Sequence, residues 1–479
     1  MLVLAALLVA VSSSARESSA ATTPDAGKPN IIFILADDLA WNLVQYMPNV
    51  QAMQREGVTF TNYFVTDSLC CPSRSSIFTG KLPHDTQVFT NMPPLGGYEA
   101  FNAHGNEAQT FAVALQGDGY RTAMLGKYLN GYEPARDGMR QGWNEWDVAG
   151  NGYPEFHYAL NQNGRVVQYG NDPKDYLTDV ASNIADTFVR HTSPGPFFIE
   201  IATFAPHAPY IPAPRDADNF PGLSAPRGPA FGARPGPAAP QWLKDIPPLS
   251  PAEIANIDKA FRMRAQAVQA VDQMIGRLRA TIAALGIQNN TYVIFSSDNG
   301  YHMGEYSLRP GKMTAYETDI RVPLIIVGPG VASGVSVDAI VENIDLAPTF
   351  TAWGGGPGGT NPDGHSLIPL LGGKPVADWR RVALVEHRHP GYNASDPDAP
   401  PRHSANPPSY EAVRTAEGTY VEYQTGEATY YNLMQDPNEL RNFISSLPAA
   451  KRQRLHEILA ANSSCRGAVQ CWQAQSMTP

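Results

Sequence analysis

Pro29-Asn30-Ile31-Ile32-Phe33-Ile34-Leu35-Ala36-Asp37-Asp38 is the stretch that decides the fold. Ile31 to Ala36 is a continuous apolar run, without the alternation of a strand that has one wet face. It reads as a strand buried on both faces, as in a largely parallel sheet covered by helices. The run then stops abruptly on two carboxylates. The same pattern recurs further along. Tyr120 to Leu125 leads to Gly126-Lys127, and Phe197 to Ile201 leads to Pro206-His207. Tyr292 to Phe295 leads to Ser296-Ser297-Asp298-Asn299-Gly300, and Val322 to Val327 ends in Gly328-Pro329-Gly330.

Helical segments lie between these runs. Ser250-Pro251-Ala252-Glu253 is a capping box with proline at the first helical position. Ile254, Ile257, Phe261, Ala265, Val268, Val271, Ile275, Leu278, Ile282 and Leu285 follow at three- and four-residue spacing, and Gly286 is the stop. The alternation predicts an α/β fold: a large, mostly parallel mixed sheet flanked by helices. Ligands of such sheets gather at the carboxyl ends of the strands. Asp37, Asp38, Lys127, His207, Asp298 and Asn299 all fall there. The proline- and glycine-rich segment from Pro206 to Pro251 is predicted to be a lid or rim. Residues 28–371 are expected to form the catalytic domain. After Leu371 the texture changes to short strand-like runs (Val382 to Val385, Tyr420 to Tyr423, Thr429 to Leu433) and a last helix near Ala449 to Leu459. These predict a smaller C-terminal α+β subdomain, 372–479.

The chain has 479 residues, 43% hydrophobic and 17% charged, as expected of a packed core. Its formal net charge of −10 argues against a nucleic-acid partner. Residues 1–20 begin with an apolar run from Leu2 to Val11 that is too short to span a bilayer. They read as a secretory signal cleaved after Ala15 or Ala20, although no Lys or Arg precedes the run. Secretion or a periplasmic, extracytoplasmic location follows, with no membrane span. Cys465 and Cys471 are predicted to form a local disulfide in an exported protein. Cys70 and Cys71 are adjacent, and vicinal cysteines rarely bridge.

Pro72 just inside a helix start would put Cys70 at a helix N-terminus, where backbone N–H groups favour an anion. Arg74 adds a fixed cation with a fork suited to tetrahedral oxyanions. By themselves these residues fit either a buried structural pair or a thiolate nucleophile. Cys70-Cys71-Pro72-Ser73-Arg74, continued by Ser75 to Gly80 and Lys81, resembles the Cys-x-Pro-Ser-Arg motif of the type I, formylglycine-dependent sulfatases. The resemblance implies an alkaline phosphatase-like fold. It also implies that Cys70, the first cysteine of the motif, is converted to formylglycine by a formylglycine-generating enzyme. The hydrated aldehyde would then be the nucleophile.

Pro29 to Asp38 resembles the family's opening strand and metal-binding aspartate pair. Ser297-Asp298-Asn299-Gly300 resembles its second metal cluster. The implied metal site is Asp37, Asp38, Cys70, Asp298 and Asn299. Hard oxygen ligands favour Ca²⁺, the family's usual ion, or Mg²⁺. Lys127, His207 and Lys312 match family residues at the sulfate and the ester oxygen. Many sulfatases carry a histidine two residues after the first lysine, where this chain has Leu129 followed by Asn130. Gly126-Lys127-Tyr128-Leu129-Asn130, Asp298 to His302 and Leu69-Cys70-Cys71 instead resemble the N-acetylglucosamine-6-sulfatase and arylsulfatase subgroup. That implies a sulfated amino sugar, such as a glycosaminoglycan unit, or an aryl sulfate as substrate. His84, His302 and Asn130 are the expected substrate contacts. His365 is expected to be structural, and His387 and His389 to be surface residues. Asn289, Asn393 and Asn462 begin Asn-x-Ser/Thr sequons. The competing functions are a phosphonate or phosphate diester hydrolase of the same superfamily and a glycan-binding protein on an inactive fold.

Overall fold

The Asn30–Ala36 strand lies within a ten-stranded sheet. The computed structural model describes residues 27–356, 361–391, 396 and 398–479. The predicted signal at 1–20 and the Asn393 sequon fall outside them. The strands run in the order Val335–Val337, Val58–Phe60, Leu324–Val327, Thr291–Ser297, Asn30–Ala36, Phe197–Ala202, Arg121–Lys127, Glu145–Ala149, Ala159–Gln162 and Arg165–Gln168. From Thr291–Ser297 to Glu145–Ala149 neighbouring strands are parallel. Ile31 stands opposite Phe198 on one side and Tyr292 on the other.

Both faces of the central strand are dry. Ile31, Phe33 and Leu35 pack into one apolar cluster with Phe111, Phe198 and Phe350. Ile32, Ile34 and Ala36 join a second cluster with Phe261, Val268 and Ile275 of the long helix Pro251–Ala284. Each large side chain so buried contributes about 1.5–3 kcal/mol of transfer free energy. The helix starts as its sequence predicts. Ser250 accepts from the Glu253 backbone N–H, and the Ser250 N–H donates to the Glu253 carboxylate at 2.8 Å.

Two strand directions were not legible as a parallel pattern. Leu324–Val327 runs antiparallel to Thr291–Ser297. Ala159–Gln162 and Arg165–Gln168 form an antiparallel hairpin through Asn163 and Gly164, both at positive φ (51° and 91°). That is the Asn-Gly turn whose twist matches paired strands.

The segment after His207 is a tethered rim, not a free lid. Arg227 pairs with Asp258 of the long helix, and Gln266 donates to the carbonyls of Ala217 and Asn219 at 2.7 Å each. Phe220, Leu223 and Phe231 lie against the core.

Beyond Leu371 a separate antiparallel sheet forms from Val382–His387, Tyr410–Thr415, Gly418–Tyr423 and Ala428–Asn432. Helices Ala449–Asn462 and Gly467–Gln475 back it, and Cys465 and Cys471 are disulfide-bonded. Among the described residues no helix is long and apolar enough to cross a membrane.

Candidate active site

Strand ends deliver the charges. Asp37 and Asp38 leave the Asn30–Ala36 strand fully buried, and Asp38 adopts φ 63°, a left-handed conformation that aspartate tolerates. The neighbouring strand, Thr291–Ser297, leads into Asp298, whose N–H donates to the Ala36 carbonyl and whose Oδ1 accepts the Asp38 N–H at 3.1 Å. Buried Arg264 of the long helix donates to the Asp38 carbonyl and clamps this corner.

Cys70 opens the helix Cys70–Thr79. Its Sγ lies 3.3 Å from Asp37 Oδ1 and 2.8 Å from Lys312 Nζ. Burial, with Asp37 adding to it, pushes the thiol well above its ordinary range despite Lys127 and Lys312. An unmodified Cys70 is therefore a protonated, poor nucleophile at neutral pH. Cys71 points elsewhere: its thiol is buried, pushed up to about 12, and its N–H donates to Asn91 Oδ1 at 2.9 Å.

Cations interleave with the acids. Lys127 pairs with Asp37 and Lys312 with Asp38, the latter at 2.7 Å. Burial works against both ammonium charges, and the aspartates outweigh it, so both stay protonated. Arg74 donates from Nε to Asp298 Oδ2 at 2.8 Å and from Nη1 to the Lys127 carbonyl at 3.0 Å. Its Nη2 is buried and has no partner among the described residues, which suits it to donate to an oxyanion. His207 turns Nδ1 to the Ala208 carbonyl at 2.7 Å and Nε2 toward Asp38 and Asp398. Burial disfavours its charge, but Asp398, Asp38 and Asp37 outweigh that and raise its pKa.

Ligand atoms of Asp37, Asp38, Cys70 and His207 come within 4.8 Å of one another. Asn299 donates its amide to Asp38 Oδ1 at 2.7 Å, and its own Oδ1 is buried without a partner among the described residues. Two carboxylates plus an orphaned carbonyl oxygen suit a hard cation. Asp298, also expected as a ligand, spends Oδ2 on Arg74 and Oδ1 on the N–H groups of Asp38 and Asn299.

Two expected substrate contacts have other work. His84 gives its ring nitrogens to Glu386 at 2.8 Å and the Cys465 carbonyl at 2.7 Å. His302 gives its nitrogens to Asp319 at 3.0 Å and the Ser404 carbonyl at 2.6 Å. Neither ring retains a nitrogen for substrate; both tie loops of the scaffold together. Asn130 does reach the site, through Asp398 at 2.8 Å. Leu129 is buried in the core. His387, expected at the surface, is fully buried, and desolvation pushes its pKa down to about 3.

The sequence reading missed Asp398, Asn91 and Tyr153. Asp398 Oδ2 accepts from Asn91 at 2.9 Å, Asn130 at 2.8 Å and Tyr153 at 3.0 Å, while Oδ1 faces His207. Its signal in the sequence is slight: acids among prolines in Asp396-Pro397-Asp398-Ala399-Pro400.

The Sulfatase family profile matches residues 29–356, and a profile for the C-terminal region of N-sulphoglucosamine sulphohydrolase matches residues 304–463. N-acetylglucosamine-6-sulfatase of Homo sapiens is 34% identical over 472 residues, spanning 92% of this chain and 85% of the relative. N-acetylglucosamine-6-O-sulfatase of Bacteroides thetaiotaomicron is 27% identical over 89% of this chain and 84% of its own length. Among solved structures, a protein in complex with its substrate D-glucosamine-2-N,6-O-disulfate superposes with TM-score 0.77 at 24% identity, covering 94% of this chain and 100% of that one. A phosphonate monoester hydrolase of Agrobacterium radiobacter superposes with TM-score 0.69 at 20% identity, covering 94% and 96%. At these identities the superpositions speak to fold.

Proposed function

Because this chain belongs to the sulfatase family and is a sulfuric ester hydrolase, we propose that it desulfates an amino sugar through a formylglycine made from Cys70. The observation that carries this reading is the placement of Cys70 Sγ at a helix N-terminus, between Asp37 and Lys312, where burial and the Asp37 charge disfavour a thiolate. Such a thiol is ill suited to attack sulfur itself. Formylglycine supplies, as its hydrate, an oxygen nucleophile and a second hydroxyl through which the aldehyde is regenerated. Asp37, Asp38, Asp298 and Asn299, with residue 70, would hold a Ca²⁺ ion, which would supply charge to polarise a sulfate oxygen and acidify a nearby hydroxyl.

The chain's own residues do the rest. Arg74, through Nη2, and the ammonium groups of Lys127 and Lys312 hold sulfate oxygens and stabilise charge as the S–O bond breaks. His207 is the general acid. With Nδ1 facing the Ala208 carbonyl, Nε2, which faces Asp38 and Asp398, is the nitrogen left to pass a proton to the departing sugar oxygen. Asp38 and Asp398 favour the protonated ring that this role requires. The buried apolar surroundings keep these charges effective by excluding water.

The relatives named as N-acetylglucosamine-6-sulfatases support a 6-O-sulfated glucosamine as substrate. Relatives named as extracellular sulfatases, one from Drosophila melanogaster at 34% identity over 75% of this chain, support export. A formylglycine-generating enzyme is the partner that maturation requires.

The test is the mass of the tryptic peptide carrying Cys70 from protein exported by its own host. Replacing S by O with loss of two hydrogens lowers the mass by about 18 Da. That shift, together with turnover of N-acetylglucosamine 6-sulfate, is the expected result. An unmodified cysteine in active protein would sink the mechanism.

A further inference from the structure

Beside the cluster lies a cavity of about 270 Å³ bounded by Leu69, next to Cys70, and Met313, next to Lys312. Its polar wall includes Thr90, Asn91, His389, Asp396 and Asp398. Its wall holds Asp398, the partner of His207, together with the chain neighbours of Cys70 and Lys312, which puts it on the leaving-group side of the cluster. Its electrostatics oppose those of the sulfate end. Arg74, Lys127 and Lys312 crowd around Asp37, Asp38 and Asp298, whereas the described residues lining this cavity include two carboxylates and no Lys or Arg.

Asp398 is held rigidly for a purpose beyond His207. Three neutral donors, Asn91, Asn130 and Tyr153, converge on its Oδ2 and fix the carboxylate, while its Oδ1 faces His207. The same bonds orient the Asn130 amide, because its Nδ2 must face the carboxylate. Its Oδ1 is therefore a fixed acceptor. It is more than nine-tenths buried and has no partner among the described residues. A buried acceptor left open beside a pinned carboxylate calls for a ligand that brings donors.

Resting on the sulfatase reading above, we propose that this cavity is a donor-reading subsite. It accepts the hydroxyls and the ammonium or acetamido group of a glucosamine 6-sulfate and discriminates against a second anionic substituent, such as an N-sulfo group, on the same sugar. The neighbouring structure crystallised with a disulfated glucosamine belongs to a protein for which that substituent is acceptable. This chain is inferred to differ. Like-charge juxtaposition is how a site rejects a near-identical ligand, and the site's unpaired acceptors add to the discrimination.

The experiment compares kcat/KM of the full-length, formylglycine-bearing protein with Ca²⁺ on glucosamine 6-sulfate, N-acetylglucosamine 6-sulfate and N-sulfoglucosamine 6-sulfate, with 4-nitrophenyl sulfate as a probe of the sulfate end. The N-sulfo sugar is expected at least about tenfold below the free amine. In Asp396→Asn and Asp398→Asn that gap should narrow severalfold. The ratio of two substrates on one variant cancels any damage common to both, including damage to His207. Equal rates on the N-sulfo and free-amine sugars in the unaltered protein, or a gap that neither variant moves, would overturn the subsite and leave the sulfatase reading standing. Loss of turnover on every sugar sulfate and on the aryl sulfate, in protein shown to carry formylglycine, would overturn the sulfatase reading and the subsite with it.

Discussion

The two ends of the site are built by opposite means. The sulfate end is made where sheet strands stop: Asp37, Asp38 and Asp298 at neighbouring strand ends, Lys127 at another, and Cys70 on the helix that packs beside them. Each acid there meets a cation, as Arg74 meets Asp298 and Lys312 meets Asp38. The leaving-group end is made by loops, with Asp398 brought in from beyond the large sheet and held by neutral side chains. A rigid scaffold with paired charges suits the invariant part of the reaction, a tetrahedral sulfate group. Loops that present a carboxylate fixed by neutral donors suit the part that varies with substrate.

The largest break of this contrast is Cys70→Ala. It should abolish turnover of sugar and aryl sulfates alike, a loss of about 10⁴-fold or more, because the covalent route is gone. Cys71→Ala should cost stability and little activity, since Cys71 packs in the core and meets Asn91 through its backbone. Equal losses in the two variants, measured as kcat on 4-nitrophenyl sulfate, would refute the assignment. Arg74→Lys comes next. Lysine cannot serve Asp298, the Lys127 carbonyl and an oxyanion at once. A fall in kcat of about 10²–10³ is expected on every sulfate ester.

Much of the sulfate end was legible because its residues sit at strand ends and in short local runs. The apolar run before Asp37 and Asp38 identified a buried strand, and Cys70 to Arg74 lie on one helical turn. The leaving-group end was not legible. Asp398 meets Asn91, Asn130 and Tyr153 across separations of 307, 268 and 245 residues, and no periodicity announces such contacts. His84 and His302 misled for a related reason. A histidine near a motif looks available until its two nitrogens are counted, and here distant partners, Glu386 and Asp319 among them, take both. The hairpin at Asn163-Gly164 carries Asn-Gly turn chemistry, but the short strands it joins, Ala159–Gln162 and Arg165–Gln168, lack the long apolar runs that mark the central strands.

Two further predictions test stability at the sulfate end and at the seam. Ca²⁺ at a hundred times its dissociation constant should stabilise the fold by about 2.7 kcal/mol, read as a higher Tm that chelator reverses. Asn299→Ala should blunt that shift, because it removes the orphaned Oδ1. At the seam, His84 joins the helix after Cys70 to Glu386 and the Cys465 carbonyl. Burial opposes its charge and Glu386 outweighs it, raising its pKa from 6.5 to about 9. A raised pKa means the stabilisation is fully present below about pH 6.5 and is lost as pH rises through about 9. His84→Ala should therefore cost about 2–3 kcal/mol at pH 6 and distinctly less at pH 10, by chemical denaturation. A cost independent of pH would mean His84 acts by packing alone.

The smallest effect is the most informative about the comparison. Tyr153→Phe keeps the ring that lies 4.8 Å from the Lys127 ammonium and removes one hydroxyl, whose bond to Asp398 Oδ2 is 3.0 Å. Nothing at the sulfate end changes, so 4-nitrophenyl sulfate should be turned over within about twofold of the unaltered rate, as expected when a variant spares the transition-state contacts. A hydrogen bond to a charged acceptor contributes about 1.5–3 kcal/mol, and Asn91 and Asn130 would remain on the same oxygen to share the loss. The expected cost on N-acetylglucosamine 6-sulfate is therefore about 1 kcal/mol, roughly fivefold in kcat/KM. It should appear mostly in KM if Asp398 reads the sugar, because the carboxylate then binds ground state and transition state alike. A fall in kcat on both substrates would instead make Asp398 chiefly a prop for His207, and the two ends would then be one device.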